Sequence, residues 1–192
     1  MSSPASDRVV EPAPLLALLP SRVDAAAIDD EVLALFDAFR DPLLRYVCTF
    51  GMPMGEAEDL VQDVFVALFR HLRKGGARTN LRGWLFRVAH NMALKRRARQ
   101  QREHHRLRGS ADAASFVVDP AEDPEAQLTR RERRQRVAAV LDALPERDRH
   151  CVRLRGRGLR YREIATVLGI SLGSVAKSLT RALARLQRAT GK

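Results

Sequence analysis

Residues 81–108 read LRGWLFRVAHNMALKRRARQQREHHRLR. The stretch starts apolar and ends strongly basic, and its spacing predicts one long helix. Leu81, Leu85, Val88 and Met92 recur at i, i+4, i+7 and i+11, the repeat of one helix face. Trp84, Arg87, Asn91 and Lys95 form the stripe beside it. An aromatic ring can stack on a base, and cations meet phosphates. From Lys95 to Arg108 seven residues are basic and only Glu103 is acidic. A core helix with a solvated basic tail would also account for this run taken alone. The rest of the chain argues for more.

The chain has 192 residues and a net charge of +11, from 34 Lys and Arg against 23 Asp and Glu. Such a balance implies a polyanionic partner, most simply nucleic acid. Hydrophobic residues make up 45% but aromatics only 5%, so the cores should be aliphatic and helical. Few runs alternate apolar and polar residues, and the expected fold is all-α. Cys48 and Cys151 lie far apart with no CxxC, which argues against a disulfide framework or a zinc ribbon. His104–His105 and His150–Cys151 are adjacent pairs without metal-ligand spacing, so no metal and no cofactor is expected. No run approaches the ~18 apolar residues of a membrane span. The apolar run Leu15–Leu19 is too short for a signal-peptide core. No membrane insertion and a cytoplasmic location are expected.

Outward from the central stretch, residues 1–25 carry Pro4, Pro12, Pro14 and Pro20 and read as a disordered arm. Ile28 to Phe50 is helical, with Asp41–Pro42 either kinking it or starting a second helix. Gly55 to Leu72 is the clearest amphipathic helix, with Ala57, Val61, Val64, Phe65, Leu68 and Leu72 in one stripe. Glu56, Asp59, Asp63 and Arg70 lie opposite, with Gln62 at the margin, and acids in the first turns suit the helix dipole. An acidic face would repel DNA, so in so basic a protein it reads as a protein-docking surface or as an ordinary solvated face. The loop Lys74 to Asn80, KGGARTN, is placed either to touch a nucleic-acid backbone or simply to connect two helices. The predicted organisation is an arm at 1–25, a helical domain at 26–108, an acidic linker at 109–124 and a second helical domain at 125–192.

The second domain carries its own signal. Helices are predicted over Glu125–Ala143 and Glu146–Leu154, followed by the basic turn RGRG at 155–158. Tyr161 to Arg188 then fits a helix-turn-helix. Ala165 is small where helices cross, Gly169 permits a left-handed turn, and Ser171 is a natural N-cap. Val175, Leu179, Ala182 and Leu186 should face inward, and Ser174, Lys177, Ser178, Arg181, Arg185 and Arg188 outward. A hydroxyl- and cation-bearing face of this kind suits a recognition helix in a major groove.

Together these pieces resemble the extracytoplasmic-function (ECF) group of bacterial RNA polymerase sigma factors, in the sigma-70 family. Four stretches carry the resemblance: LFDAFRDPLLRYV, EAEDLVQDVFVALFRHL, WLFRVAHNMALKRRAR and the run from Leu144 to Leu186. The resemblance implies two helical domains, sigma regions two and four, joined by a flexible linker. It implies that Glu56, Asp59, Gln62 and Asp63 dock on the clamp coiled coil of the largest subunit of core polymerase. Asn80, Arg82, Trp84, Arg87, Asn91, Lys95 and Arg96 would read the −10 element and hold its strand open. Arg160, Arg162, Ser174, Lys177, Ser178, Arg181 and Arg185 would contact the −35 element, with Arg155 and Arg157 on phosphates. The implied partners are core RNA polymerase, promoter DNA and an anti-sigma factor.

Two departures stand out. Where the family often has a Thr-Val-Lys-Ser-Arg-like run, this chain has Ser174-Val175-Ala176-Lys177-Ser178, with the cation displaced by one residue. Lys95 stands where the family often has Asp. No paired carboxylates, nucleophile–base set or phosphate-cradling loop is present, so no catalytic activity is expected. A free-standing helix-turn-helix regulator is the alternative. It accounts for Tyr161–Arg188 but leaves the acidic face and the Trp84 stripe without a role.

Overall fold

The computed structural model describes residues 22–106 and 135–190. The first group of helices is α1 (Arg22–Val47), a short 3₁₀ turn (Cys48–Phe50), α2 (Met54–Arg73) and α3 (Leu81–Arg106). The second group is α4 (described over 135–142), α5 (Glu146–Gly156), α6 (Tyr161–Leu168) and α7 (Leu172–Thr190). Every regular element among the described residues is helical. The predicted linker at 109–124 and the start of the helix expected at Glu125 lie outside the described residues. None of the described helices is long and apolar enough to cross a membrane.

One boundary differs from expectation, and one open alternative is decided. α1 begins at Arg22, inside the stretch assigned to the N-terminal arm. It also runs on through Pro42 without a break at Asp41–Pro42. A proline inside a helix costs about 3 kcal/mol. The residues just beyond it, Leu43, Tyr46 and Val47, are all fully buried. Burial of each such side chain stabilises by roughly 1.5–3 kcal/mol, enough together to carry the helix past the proline.

α2 takes its place as its pattern dictates. Ala57, Leu60, Val61, Val64, Phe65, Leu68 and Leu72 are buried, and Phe65 meets Phe36 of α1 edge-on at 4.9 Å. α3 buries more than its predicted face, whose Val88 and Met92 are packed against the core. Leu81, Leu85, Phe86, Ala89 and Ala93 are in the core, whereas Val88 and Met92 are only half-buried. α3 packs on α1, α2 and α6, so its apolar positions wrap around more than one side.

That last contact joins the two groups. The buried core is continuous, running from Tyr46, Phe50 and Phe86 on one side to Cys151, Leu154, Leu159 and Ile164 on the other. At its centre His150 of α5 stacks on Phe50, ring centroids 5.0 Å apart, and meets His90 of α3 edge-on at 5.1 Å. His90 Nδ1 is in turn 2.9 Å from the Tyr46 hydroxyl. Burial holds both imidazoles below their ordinary range. For His150, burial and the neighbouring His90 bring the pKa down to about 4, opposed by Glu146 and helped by the Arg153 and Arg149 cations.

Candidate polymerase and nucleic-acid interfaces

Glu56, Asp59, Gln62 and Asp63 are all exposed on the outer side of α2. The buried stripe opposite them fixes that orientation. α3 lies alongside and reaches across to this acidic face. Arg96 Nη2 pairs with Asp63 Oδ2 at 2.8 Å, and Arg96 Nη1 donates to the Glu56 carbonyl at 2.7 Å. Gln100 Nε2 donates to Glu56 Oε2 at 2.6 Å. Asp59 and Gln62 stand clear of this crossing. Arg96, assigned from sequence to the −10 group, is therefore turned onto α2.

On the outer side of α3, Arg87, Asn91 and Lys95 are exposed at successive i+4 positions, a polar row one turn apart. Trp84 begins the row but is half-buried, and the His71 imidazole stacks on its indole at 4.8 Å and 29°. His71 Nε2 lies 3.1 Å from the Ala77 carbonyl. A Cβ on Gly76 would sit 2.3 Å from the same imidazole, so only glycine lets the loop close over the ring. Spacing alone does not mark His71. Its one signal was the glycine pair shortly after it in the chain.

Asn80 and Arg82 have structural work at the start of α3. Asn80 adopts φ 56°, a conformation asparagine tolerates, and its Oδ1 accepts from the Gly83 amide at 3.1 Å as the helix cap. Arg82 is half-buried and donates through Nη2 to the Arg157 carbonyl of the second group. Asn80 is exposed while it caps the helix, whereas Arg82 is turned away from solvent.

The helix-turn-helix forms as its punctuation predicts. Gly169 has φ 63°, and its neighbour Ile170 donates its amide to the Ala165 carbonyl at 3.1 Å. Ser171 Oγ caps α7 by accepting from the Ser174 amide at 3.2 Å. Arg160, Arg162, Lys177 and Arg185 are exposed. Ser174 is half-buried, its hydroxyl 2.9 Å from that of Ser171.

Ser178 requires a correction: its side chain is fully buried and does not face outward. It lies three residues after Val175 and four before Ala182, on the face that packs against α5. Arg181 is half-exposed but bound in two places, Nη2 to Asp148 Oδ1 at 3.0 Å and Nε to Asp148 Oδ2 at 3.3 Å. Asp148 itself is 2% exposed. Burial opposes its ionisation, but the Arg181 guanidinium and the neighbouring Ser178 hydroxyl outweigh it and hold the carboxyl below the usual carboxylate range. Arg155 lies over the Tyr161 ring at 5.7 Å and donates to the Leu159 carbonyl at 3.1 Å.

Comparison with known proteins follows this division. Residues 35–103 match the Sigma-70 region 2 family and residues 134–186 match Sigma-70, region 4. The chain is 33% identical over 143 residues to the RNA polymerase sigma factor CnrH of Cupriavidus metallidurans, covering 72% of this chain and 75% of that one. It is 31% identical over 144 residues to the ECF RNA polymerase sigma-E factor of Escherichia coli K12, covering 72% and 73%. The solved structure of CnrH in complex with the cytosolic domain of CnrY superposes with a TM-score of 0.57 at 27% identity, covering 87% of this chain and 94% of that one. With both sigma regions matched in order and relatives aligned across most of their length, the chain belongs to the sigma-70 family, in its ECF group, and is an alternative sigma factor directing transcription initiation.

Proposed function

We propose that the two helical groups divide the work of a non-catalytic promoter-specificity subunit, acting in the cytoplasm. The acidic face of α2 docks on the clamp coiled coil of the polymerase largest subunit. The outer row of α3, with Trp84, reads the −10 element and keeps its non-template strand apart. The helix-turn-helix reads the −35 element, with Lys177 and Arg185 on the reading face and Arg160 and Arg162 on phosphates. Two weak readers joined by a tether bind far more tightly than either alone. An anti-sigma factor is the expected antagonist. The relative CnrH has been solved with the cytosolic domain of CnrY, which supports this expectation for the group.

The observation that carries the reading is the pairing of opposite surfaces on adjacent helices. In a chain of net charge +11, an exposed row of Glu56, Asp59 and Asp63 faces one way on α2. An exposed row of Arg87, Asn91 and Lys95 lies on the next helix. DNA suits only the second, so the first is left for a protein. The test is Asp59→Lys together with Asp63→Lys. The double variant should lose affinity for core polymerase at least tenfold, with thermal unfolding close to wild type. Both side chains are exposed, and the Asp63–Arg96 pair that the double variant removes is a surface pair worth about 1 kcal/mol or less. Unchanged polymerase affinity would remove α2 from the docking surface.

A further inference from the structure

Along α7 the cations Lys177, Arg181 and Arg185 recur every fourth residue, all exposed. The middle one stands against an acid. Asp148, in the first turn of α5, accepts from Arg181 Nη2 on Oδ1 at 3.0 Å and from Nε on Oδ2 at 3.3 Å. The Arg181 side chain is 58% exposed and that of Asp148 only 2%. Among the described residues the hydrogen bonds of Arg181 end there. The far edge of the guanidinium, with the Nη1 N–H groups and one on Nη2, stays available.

We infer that Asp148 is a positioning residue for promoter reading: it holds Arg181 side-on, so that the far edge of the guanidinium meets one guanine of the −35 element. The inference rests on the assignment of the helix-turn-helix to that element.

Neither packing nor the helix dipole accounts for this acid. A buried carboxylate is costly, and an apolar residue of similar volume would serve packing as well. Glu146 already supplies an exposed negative charge in the same first turn of α5. What the buried acid adds is direction. An arginine loses rotamer freedom when a base fixes it, and one fixed beforehand avoids that loss. The backbone beneath is fixed too, because Ser178, Leu179 and Ala182 are buried on either side of Arg181. Ser178 lies beside the same carboxylate, where its small side chain leaves room between α5 and α7.

The far edge carries only donors, so its target must carry acceptors. In the major groove guanine offers two side by side, O6 and N7, whereas adenine sets a donor beside its N7. A phosphate offers acceptors as well, but a phosphate contact depends on charge. Asp148 offsets the charge of Arg181 while giving it direction, which favours the base.

Base preference in the holoenzyme tests the inference. The full-length chain with core polymerase is given genomic fragments, and one promoter so found has its −35 box varied pair by pair. Wild type should favour G at one pair by roughly tenfold or more. Asp148→Asn keeps the shape of the side chain but not its charge, and should lose most of that preference while those at other pairs persist. Loss of folded protein would leave these ratios unchanged, so they report positioning rather than stability. Arg181→Lys, at an exposed site, keeps the cation without the fork and should lose preference at the same pair. In that background Asp148→Asn should change nothing further there. If Asp148→Asn leaves every ratio unchanged, lowers binding to all sequences alike, or still shifts that pair in the Arg181→Lys background, the inference is overturned and the helix-turn-helix reading stands. A holoenzyme indifferent to every pair of the box overturns both.

Discussion

At the scale of single residues, the most informative side chains are those whose polar atoms are not where a surface reading puts them. His150 is an imidazole used as an apolar ring. Its neutral form is favoured in the fold, with a pKa of about 4, while in the unfolded chain it returns to the ordinary histidine range. Below that ordinary range the unfolded chain binds the extra proton and the folded chain does not. The contribution of His150 is therefore whole at neutral pH and is lost as the pH falls from about 6.5 towards 4. His90 works in the same direction. The groups facing the pair are Tyr46 and Phe50 from the first helical group and Glu146, Arg149 and Arg153 from α5. His150→Phe keeps the stack on Phe50 and removes the proton site. Thermal melts at pH 7 and pH 5 should differ less for this variant than for wild type. An equal drop in both would mean that other groups set the acid sensitivity. Asp148 and Arg181 make the second case. Arg181→Met leaves a buried carboxylate without its cation, so it should lower the urea midpoint as well as alter DNA binding.

At the scale of elements, the helices most legible in the sequence are those with one buried face and sharp ends. α2 has a single stripe, and its core and its acidic face follow directly from spacing. The helix-turn-helix is legible because Gly169 and Ser171 mark its turn. Gly169→Ala forces a Cβ into the left-handed region and should cost about 1–2 kcal/mol in denaturant titrations. Leu60→Ala, in the centre of α2, should cost about 2–5 kcal/mol. The less legible features depend on neighbours distant in sequence. α3 is covered on several sides, so no single stripe marks its core. Ser178 was placed outward because serine is polar, although its spacing from Val175 and Ala182 puts it on the packed face. The role of Arg181 was hidden because Asp148, its partner, lies on another helix. Arg96 reaches Asp63 only because α2 and α3 cross there.

At the scale of the whole molecule, the sequence suggests two bodies on a tether, whereas the described helices share one continuous core. Such a core should melt as one unit. Calorimetry of the wild-type chain should show a single transition, and Arg153→Ala should split or broaden it as the halves begin to unfold separately. Two well-separated wild-type transitions would mean that the shared core does not couple them. The His71–Trp84 stack adds a practical consequence. Trp84 is the chain's one tryptophan, and it is stacked on an imidazole across a loop that closes only because residue 76 is glycine. An indole's emission depends on what its ring touches. The chain thus carries its own optical gauge at the face assigned to the melted strand: any base that displaces His71 changes the emission of a single, unlabelled chromophore.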